Sequence, residues 1–222
     1  KFTSLTNITG RTADDEISIG GVLYEDITGL GVKYLGCDVE YYIEEYDNNE
    51  YRIVYMFPTN KNDEVTVPEK DILPSICNEY KFAYELNNRT KTIDLNDDTH
   101  VIYNGYALPL YDGSIFNIVS GEVRLLDNDG DGNYECIFIA NASEHYVAST
   151  VSKDNDAWYI TDKADKTKVY KLLADMYEDY SVVLFKNGEE IEPDKIEDDD
   201  VLSIGTHPSG AVGIYVGGTS IT

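Results

Sequence analysis

Residues 38–57 read DVEYYIEEYDNNEYRIVYMF, and this stretch decides the fold class. Over 38–46 apolar and acidic residues partly alternate. Val39, Tyr41 and Ile43 fall on one face and Glu40, Tyr42 and Glu44 on the other, the period-2 pattern of a strand. Asp47, Asn48, Asn49 and Glu50 then form a polar turn, and residues 51–57 return to aromatic and β-branched types. The stretch therefore predicts a β-hairpin, which Pro58 ends.

The same pattern extends outward. The first unit is expected to begin near Ile17 and to close with a short strand around Val65 and Val67 and a single helical turn over 68–72. Strands are expected at 80–86 and 90–95 across a turn at Asn87 and Asn88. Another covers 101–103 and runs into Asn104-Gly105, the pair that best fits a type I′ hairpin turn. Further strands fall near 145–151, 157–161, 169–173 and 182–185, where Asn187-Gly188 is a second type I′ candidate. The expected fold is all-β, in two or three small barrel-like or meander units with very little helix, divided near 1–76, 77–150 and 151–222. A faint internal echo accompanies this: strand, Asn-Gly and strand occur twice, and Pro68-Glu69-Lys70 partly matches Pro193-Asp194-Lys195.

Composition supports sheet and narrows the partners. Aromatics make up 12% of the 222 residues, and 19 of them are Tyr, which with abundant Val, Ile and Thr favours pleated structure. The chain carries 42 acidic against 17 basic residues, a formal charge of −25. Phosphate backbones and anionic lipid both require clustered Lys and Arg, so nucleic acid and direct membrane insertion are not expected. No stretch approaches the ~20 consecutive apolar residues of a membrane span. Such acidity suits a cation-rich exterior, where divalent ions and salt screen self-repulsion. Cys37, Cys77 and Cys136 are odd in number, widely spaced and free of any CxxC, so neither a disulfide framework nor a zinc site is indicated, and Cys136 reads as a buried thiol. No signal peptide is visible. The chain opens at Lys1 without methionine and reaches Thr222 in a strand-like stretch, so a piece of a longer protein is expected.

The motif richest in chemistry is DNDGDGNYE at 127–135. Calcium takes six to eight oxygens, and side chains at loop positions 1, 3 and 5 converge on it when glycine at position 6 permits a sharp turn. Asp127, Asp129, Asp131 and Gly132 meet that spacing. Asn133 would add its backbone carbonyl at position 7, and Glu135 falls at position 9. These five residues are the expected ligands of a structural calcium ion. A helical EF-hand would also need a bidentate Glu at position 12, where Phe138 stands, and flanking helices. Residues 122–126 and 134–140 read as strands instead, so the loop would cap a β-hairpin. The competing reading is a solvated acidic turn, since Asp and Gly are common turn formers. Asp198, Asp199 and Asp200 could form a second ion site, although a charge run ahead of a strand is usually solvated surface.

No catalytic constellation is visible, and no enzymatic role is expected. His100, His145 and His207 lie far apart, and no nucleophile-elbow, HExxH, P-loop or dinucleotide fingerprint occurs. Tyr41, Tyr42, Tyr46, Tyr51, Tyr55, Trp158 and Tyr159 could supply a sugar-stacking platform if several faced solvent on one sheet, though aromatics in strands are more often core or cross-strand pairs.

The loop resembles the calcium loops of FG-GAP and VCBS-type repeats, which have the pattern DxDxDGxxD before an apolar strand, with Glu135 where those families usually carry Asp. More broadly, Tyr34-Leu35-Gly36 with Val39-Glu40-Tyr41-Tyr42, THVIYNG at 99–105, VRLLDNDGDGNYECIFI at 123–139, and residues 183–191 with 199–204 are similar to β-rich repeat regions of Gram-positive cell-surface proteins that carry S-layer homology domains. No S-layer homology motif itself occurs. The resemblance implies a non-catalytic, exported spacer, structural or adhesive module on a bacterial cell surface. Its partners would be a cell-wall or polysaccharide ligand or a neighbouring surface protein. A carbohydrate-binding module and a virion or tail-fibre component are the alternatives.

Overall fold

The computed structural model describes residues 16–47, 50–173, 176 and 182–217. The chain is all-β, built of several open sheets with no closed barrel. It divides into two compact units, residues 1–103 with 107–140, and residues 104–106 with 141–222.

In the first unit, β1 (Glu16–Ile19), β2 (Val22–Asp26), β3 (Val39–Asp47) and β4 (Glu50–Pro58) form a four-stranded sheet in the order β1-β2-β4-β3. The hairpin read from residues 38–57 is β3 and β4, paired antiparallel from Val39 opposite Pro58 to Asp47 opposite Glu50. Its turn residues Asn48 and Asn49, like Thr222, lie outside the described residues. One face buries Ile17, Ile53 and Met56 in a small core against Tyr24, Val39 and Tyr41.

The remainder of this unit is a five-stranded sheet and a two-stranded hairpin. Strands β5 (Asp63–Pro68), β8 (His100–Tyr103), β9 (Tyr106–Ala107), β10 (Gly121–Asp127) and β11 (Cys136–Asn141) take the order β5-β10-β11-β8-β9. The single helical turn read at 68–72 is a 3₁₀ turn at Glu69–Asp71. The hairpin is β6 (Lys81–Leu86) with β7 (Arg89–Asp94), and Asn87 and Asn88 both take positive φ, 54° and 59°, as a type I′ turn demands. Phe82 and Phe116, both fully buried with ring centroids 5.0 Å apart, anchor a core completed by Val123, Leu125, Ile137 and Ile139. These last four alternate along β10 and β11, as one buried sheet face requires.

The second unit holds β12 (Glu144–Asp154), β13 (Ala157–Asp162), β14 (Val169–Leu173), β15 (Val182–Lys186), β16 (Glu189–Glu190), β17 (Val201–Thr206) and β18 (Val212–Gly217), in the order β14-β13-β12-β17-β18-β15-β16. The echo noted in the sequence now has a structural form. Twice along the chain a strand (β8 or β15) meets an Asn-Gly turn, at 49° and 85° for Asn104-Gly105 and 57° and 80° for Asn187-Gly188. A two-residue return strand and a 3₁₀ turn follow, at Gly113–Phe116 in one case and Pro193–Lys195 in the other. The next strand pairs antiparallel with an earlier one, β10 with β5 and β17 with β12. The last strand then lies parallel to the first, β11 to β8 and β18 to β15. The sheet orders β5-β10-β11-β8-β9 and β12-β17-β18-β15-β16 therefore correspond element for element.

The two motifs differ in the link between their last strands. Residues 207–211, His-Pro-Ser-Gly-Ala, join β17 to β18, whereas the acidic loop joins β10 to β11. Asn104 is the polar centre of the second unit. Fully buried, it donates through Nδ2 to the carbonyls of Asn141 (3.0 Å) and Thr206 (3.3 Å) and accepts at Oδ1 from the Asn141 N–H (2.8 Å). A Cβ at Gly205 would collide with the Asn141 carbonyl and the Asn104 amide, so glycine is what lets β17 approach so closely.

Candidate metal centre

The acidic loop is held at both ends before any ion is considered. Asp127 ends β10 in step with Val123 and Leu125, so its carboxylate points to the buried side and is only 4% exposed. On the exit side the Glu135 carbonyl accepts from the His100 N–H at 2.7 Å, and Thr99 Oγ1 donates to the Tyr134 carbonyl at 3.1 Å. The Asn128 side chain donates to the Gly36 carbonyl at 2.8 Å, tying the loop to the segment between β2 and β3.

Inside the loop, each carboxylate accepts from backbone N–H groups ahead of it. Asp127 Oδ1 accepts from Gly130 (2.7 Å) and Asp129 (3.2 Å), and its Oδ2 accepts from Gly132 (2.8 Å). Asp129 accepts from the Asp131 N–H (3.1 Å), and Asp131 from the Asn133 N–H (2.8 Å) and side-chain amide (2.9 Å). Gly130 and Gly132 sit at φ 79° and 89°, the left-handed region where a side chain would be strained, and these two residues coil the loop tightly enough for the bonds to form. Glu135 reaches back with Oε2 to the Asn128 N–H at 2.8 Å. Burial pushes the Asp127 pKa up, but the N–H groups of Gly130, Gly132, Asp129 and Asp131 together outweigh it and hold the carboxyl below its ordinary value.

One carboxylate oxygen each from Asp127, Asp129, Asp131 and Glu135 lies within 4.8 Å of the others, an acidic cluster that could hold a metal ion. The longer side chain of Glu135 thus reaches the group. Asn133, expected to contribute its carbonyl, also steadies Asp131 through two hydrogen bonds. Among the described residues no Lys, Arg or His forms an ion pair with any of the four. Two unit charges 4.8 Å apart repel by ~0.9 kcal/mol even at the dielectric of water. A bound cation would turn that repulsion into attraction. Every donor is a hard oxygen, which suits Ca²⁺, Mg²⁺ or Mn²⁺ rather than a thiolate- or imidazole-seeking metal. Phe138, at the EF-hand's twelfth position, instead packs beneath the Arg124 guanidinium, 3.9 Å from its ring centroid.

The other candidates resolve differently. Asp200 is buried against Lys186 Nζ (2.8 Å), and Asp199 pairs with Lys163, so two members of the 198–200 run are already neutralised by lysines. His145 Nδ1 meets Ser203 Oγ at 3.1 Å across β12 and β17, an exposed pair for which no orienting carboxylate occurs among the described residues. The Cys136 thiol is fully buried and pushed up to about 12, chiefly by burial and then by the charge of Glu135. Of the aromatic residues singled out, Tyr41 packs into the small core and Trp158 against the second unit's core, while Tyr42, Tyr46, Tyr51 and Tyr55 are exposed. No described helix is long and apolar enough to cross a membrane. No protein-family model and no curated protein matches the chain.

Proposed function

We propose that the protein is a non-catalytic structural or adhesive module, displayed outside a bacterial cell and stabilised by calcium bound through Asp127, Asp129, Asp131, Asn133 and Glu135. The observation that carries the metal reading is the convergence of four carboxylates in one loop, none of them paired with a Lys, Arg or His among the described residues. Calcium is favoured over magnesium because it accepts six to eight oxygens in variable geometry, as a loop of four carboxylates and a carbonyl can offer, whereas magnesium demands a near-ideal octahedron and dehydrates reluctantly. The ion's role would be to fix the β10–β11 connection, the loop that all of these ligands share. Display outside the cell agrees with the acidity, and the modular role with the repeated five-strand motif.

Isothermal titration of the chelator-stripped protein with Ca²⁺ and, separately, Mg²⁺ tests the reading. One saturable calcium site is expected, with much weaker magnesium binding. Absence of heat and of any spectral change up to millimolar calcium would remove the metal, and with it the stabilising role, from the proposal.

A further inference from the structure

The outer face of the four-stranded sheet carries a second constellation, separate from the acidic loop. Register places Glu16 opposite Glu25, Glu25 beside Arg52, and Arg52 opposite Glu44, so one row crossing all four strands holds three carboxylates and one guanidinium. Arg52 is engaged by Glu44, to which its Nε donates at 2.5 Å. Glu25 Oε2 is buried and has no hydrogen-bond partner among the described residues.

Beside this row lies an aromatic strip. Tyr42 is opposite Tyr55, and Glu40 opposite Phe57. The Tyr42 and Tyr55 ring centroids are 6.2 Å apart, and those of Tyr55 and Phe57 5.6 Å, giving three rings in sequence. Tyr42 and Tyr55 are 59% and 57% exposed, far more than cross-strand pairing in a core would leave. The chain already shows what such rings attract. Arg52 lies over Tyr46, Arg124 over Phe138, Lys168 over Tyr146, Lys153 over Trp158 and Lys171 over Tyr159. No described cation covers Tyr42, Tyr55 or Phe57.

We infer that this face binds an extended, arginine-bearing segment of a partner protein, with guanidinium groups stacking on Tyr42 and Tyr55 and pairing with the exposed Glu40. Charge complementarity selects this occupant. Three rings bordered by carboxylates present negative π-faces and negative charge together, which a guanidinium meets with both its planar face and its donor fork. Arg52, held between Tyr46 and Glu44 on the same sheet, is an intramolecular example of the arrangement. A neutral glycan would use the rings but bring no cation to Glu40, which lies opposite Phe57. The inference is independent of the metal reading.

The probe is a short acetylated peptide alternating Thr and Arg, titrated at about 0.15 M salt, where long-range attraction is screened, with chelator present throughout. Binding should weaken about tenfold in Tyr42→Ala/Tyr55→Ala, which removes both rings and leaves the net charge intact. It should stay within about twofold of wild type in Tyr42→Phe/Tyr55→Phe, and fall in Glu40→Gln, with circular dichroism and melting confirming that each variant folds. Equal affinity for wild type and the alanine variant would mean that net charge alone holds the peptide, and would overturn the inference. So would undetectable binding at millimolar peptide, or tyrosine-dependent binding of a soluble neutral β-glucan in its place.

Discussion

Asp127→Asn separates the loop's own architecture from its metal. The carboxylate accepts three backbone hydrogen bonds, at 2.7, 2.8 and 3.2 Å. An asparagine whose oxygen stays with Gly130 and Asp129 turns its NH₂ toward the Gly132 N–H, donor against donor, which costs about 2 kcal/mol. The substitution also removes three repulsions within the cluster, to Asp129, Asp131 and Glu135, each worth ~0.9 kcal/mol at a separation of 4.8 Å in water. Because the Asp127 pKa is held below its ordinary value, the hydrogen bonds outweigh those repulsions, and in chelator the variant should melt a few degrees below wild type. Calcium should then discriminate sharply. At a hundredfold excess over Kd, binding to the folded state alone stabilises by ~2.7 kcal/mol. At about 3 °C per kcal/mol for a chain of this size, wild type should gain about 8 °C and the variant little. The assay is thermal melting by circular dichroism with EGTA, then with calcium, then with magnesium. An equal calcium increment in both proteins would refute the placement of the ion on Asp127. Acid supplies a second axis. Because the folded pKa of Asp127 lies below its ordinary value, its contribution is complete above the usual Asp range and is lost as pH falls through the lowered folded value. The wild-type melting temperature in chelator should therefore decline across that acid window, and more steeply than that of the variant.

Asn104→Ala should destabilise the second unit by about 2–4 kcal/mol in urea denaturation, because it removes the buried amide's hydrogen bonds to the Asn141 N–H and carbonyl and places alanine at φ 49°. Asn104→Gly relieves the backbone and should recover only about 1 kcal/mol of that loss, which assigns the remainder to the side chain. Cys136, fully buried with its thiol pushed up to about 12, should resist a disulfide reagent at about pH 8 in the native protein and react in denaturant. Rapid native labelling mapped to Cys136 would contradict the packing of β11.

The elements were legible because their signals are local. Alternation from Val39 to Glu44 identified β3, turn-forming residues marked where it reverses, and the Asn-Asn and Asn-Gly pairs announced left-handed turns that the φ values of Asn87, Asn104 and Asn187 display. The spacing of Asp127, Asp129, Asp131 and Glu135 was legible for the same reason, since a nine-residue loop punctuated by glycine gathers its own side chains. Neutralisation of Asp199 and Asp200 was not. Their lysine partners, Lys163 just past β13 and Lys186 at the end of β15, arrive from distant parts of the chain, and nothing in the acidic run announces them.

By itself the sequence determined where strands lie and which loop concentrates negative charge, because period-2 burial and positive-φ turns are properties of neighbouring residues. Only the tertiary structure decided which strands meet: β5 against β10, β8 parallel to β11, β15 parallel to β18. Those pairings join residues tens of positions apart, and any apolar strand face can in principle cover any other. Selection among them rests on core volume and on specific fits such as Asn104 against Gly205 and Gly213. For the same reason the repeated motif, a faint echo in sequence, became plain in the sheet order, and the row from Glu16 to Glu44 exists only once four strands are in register.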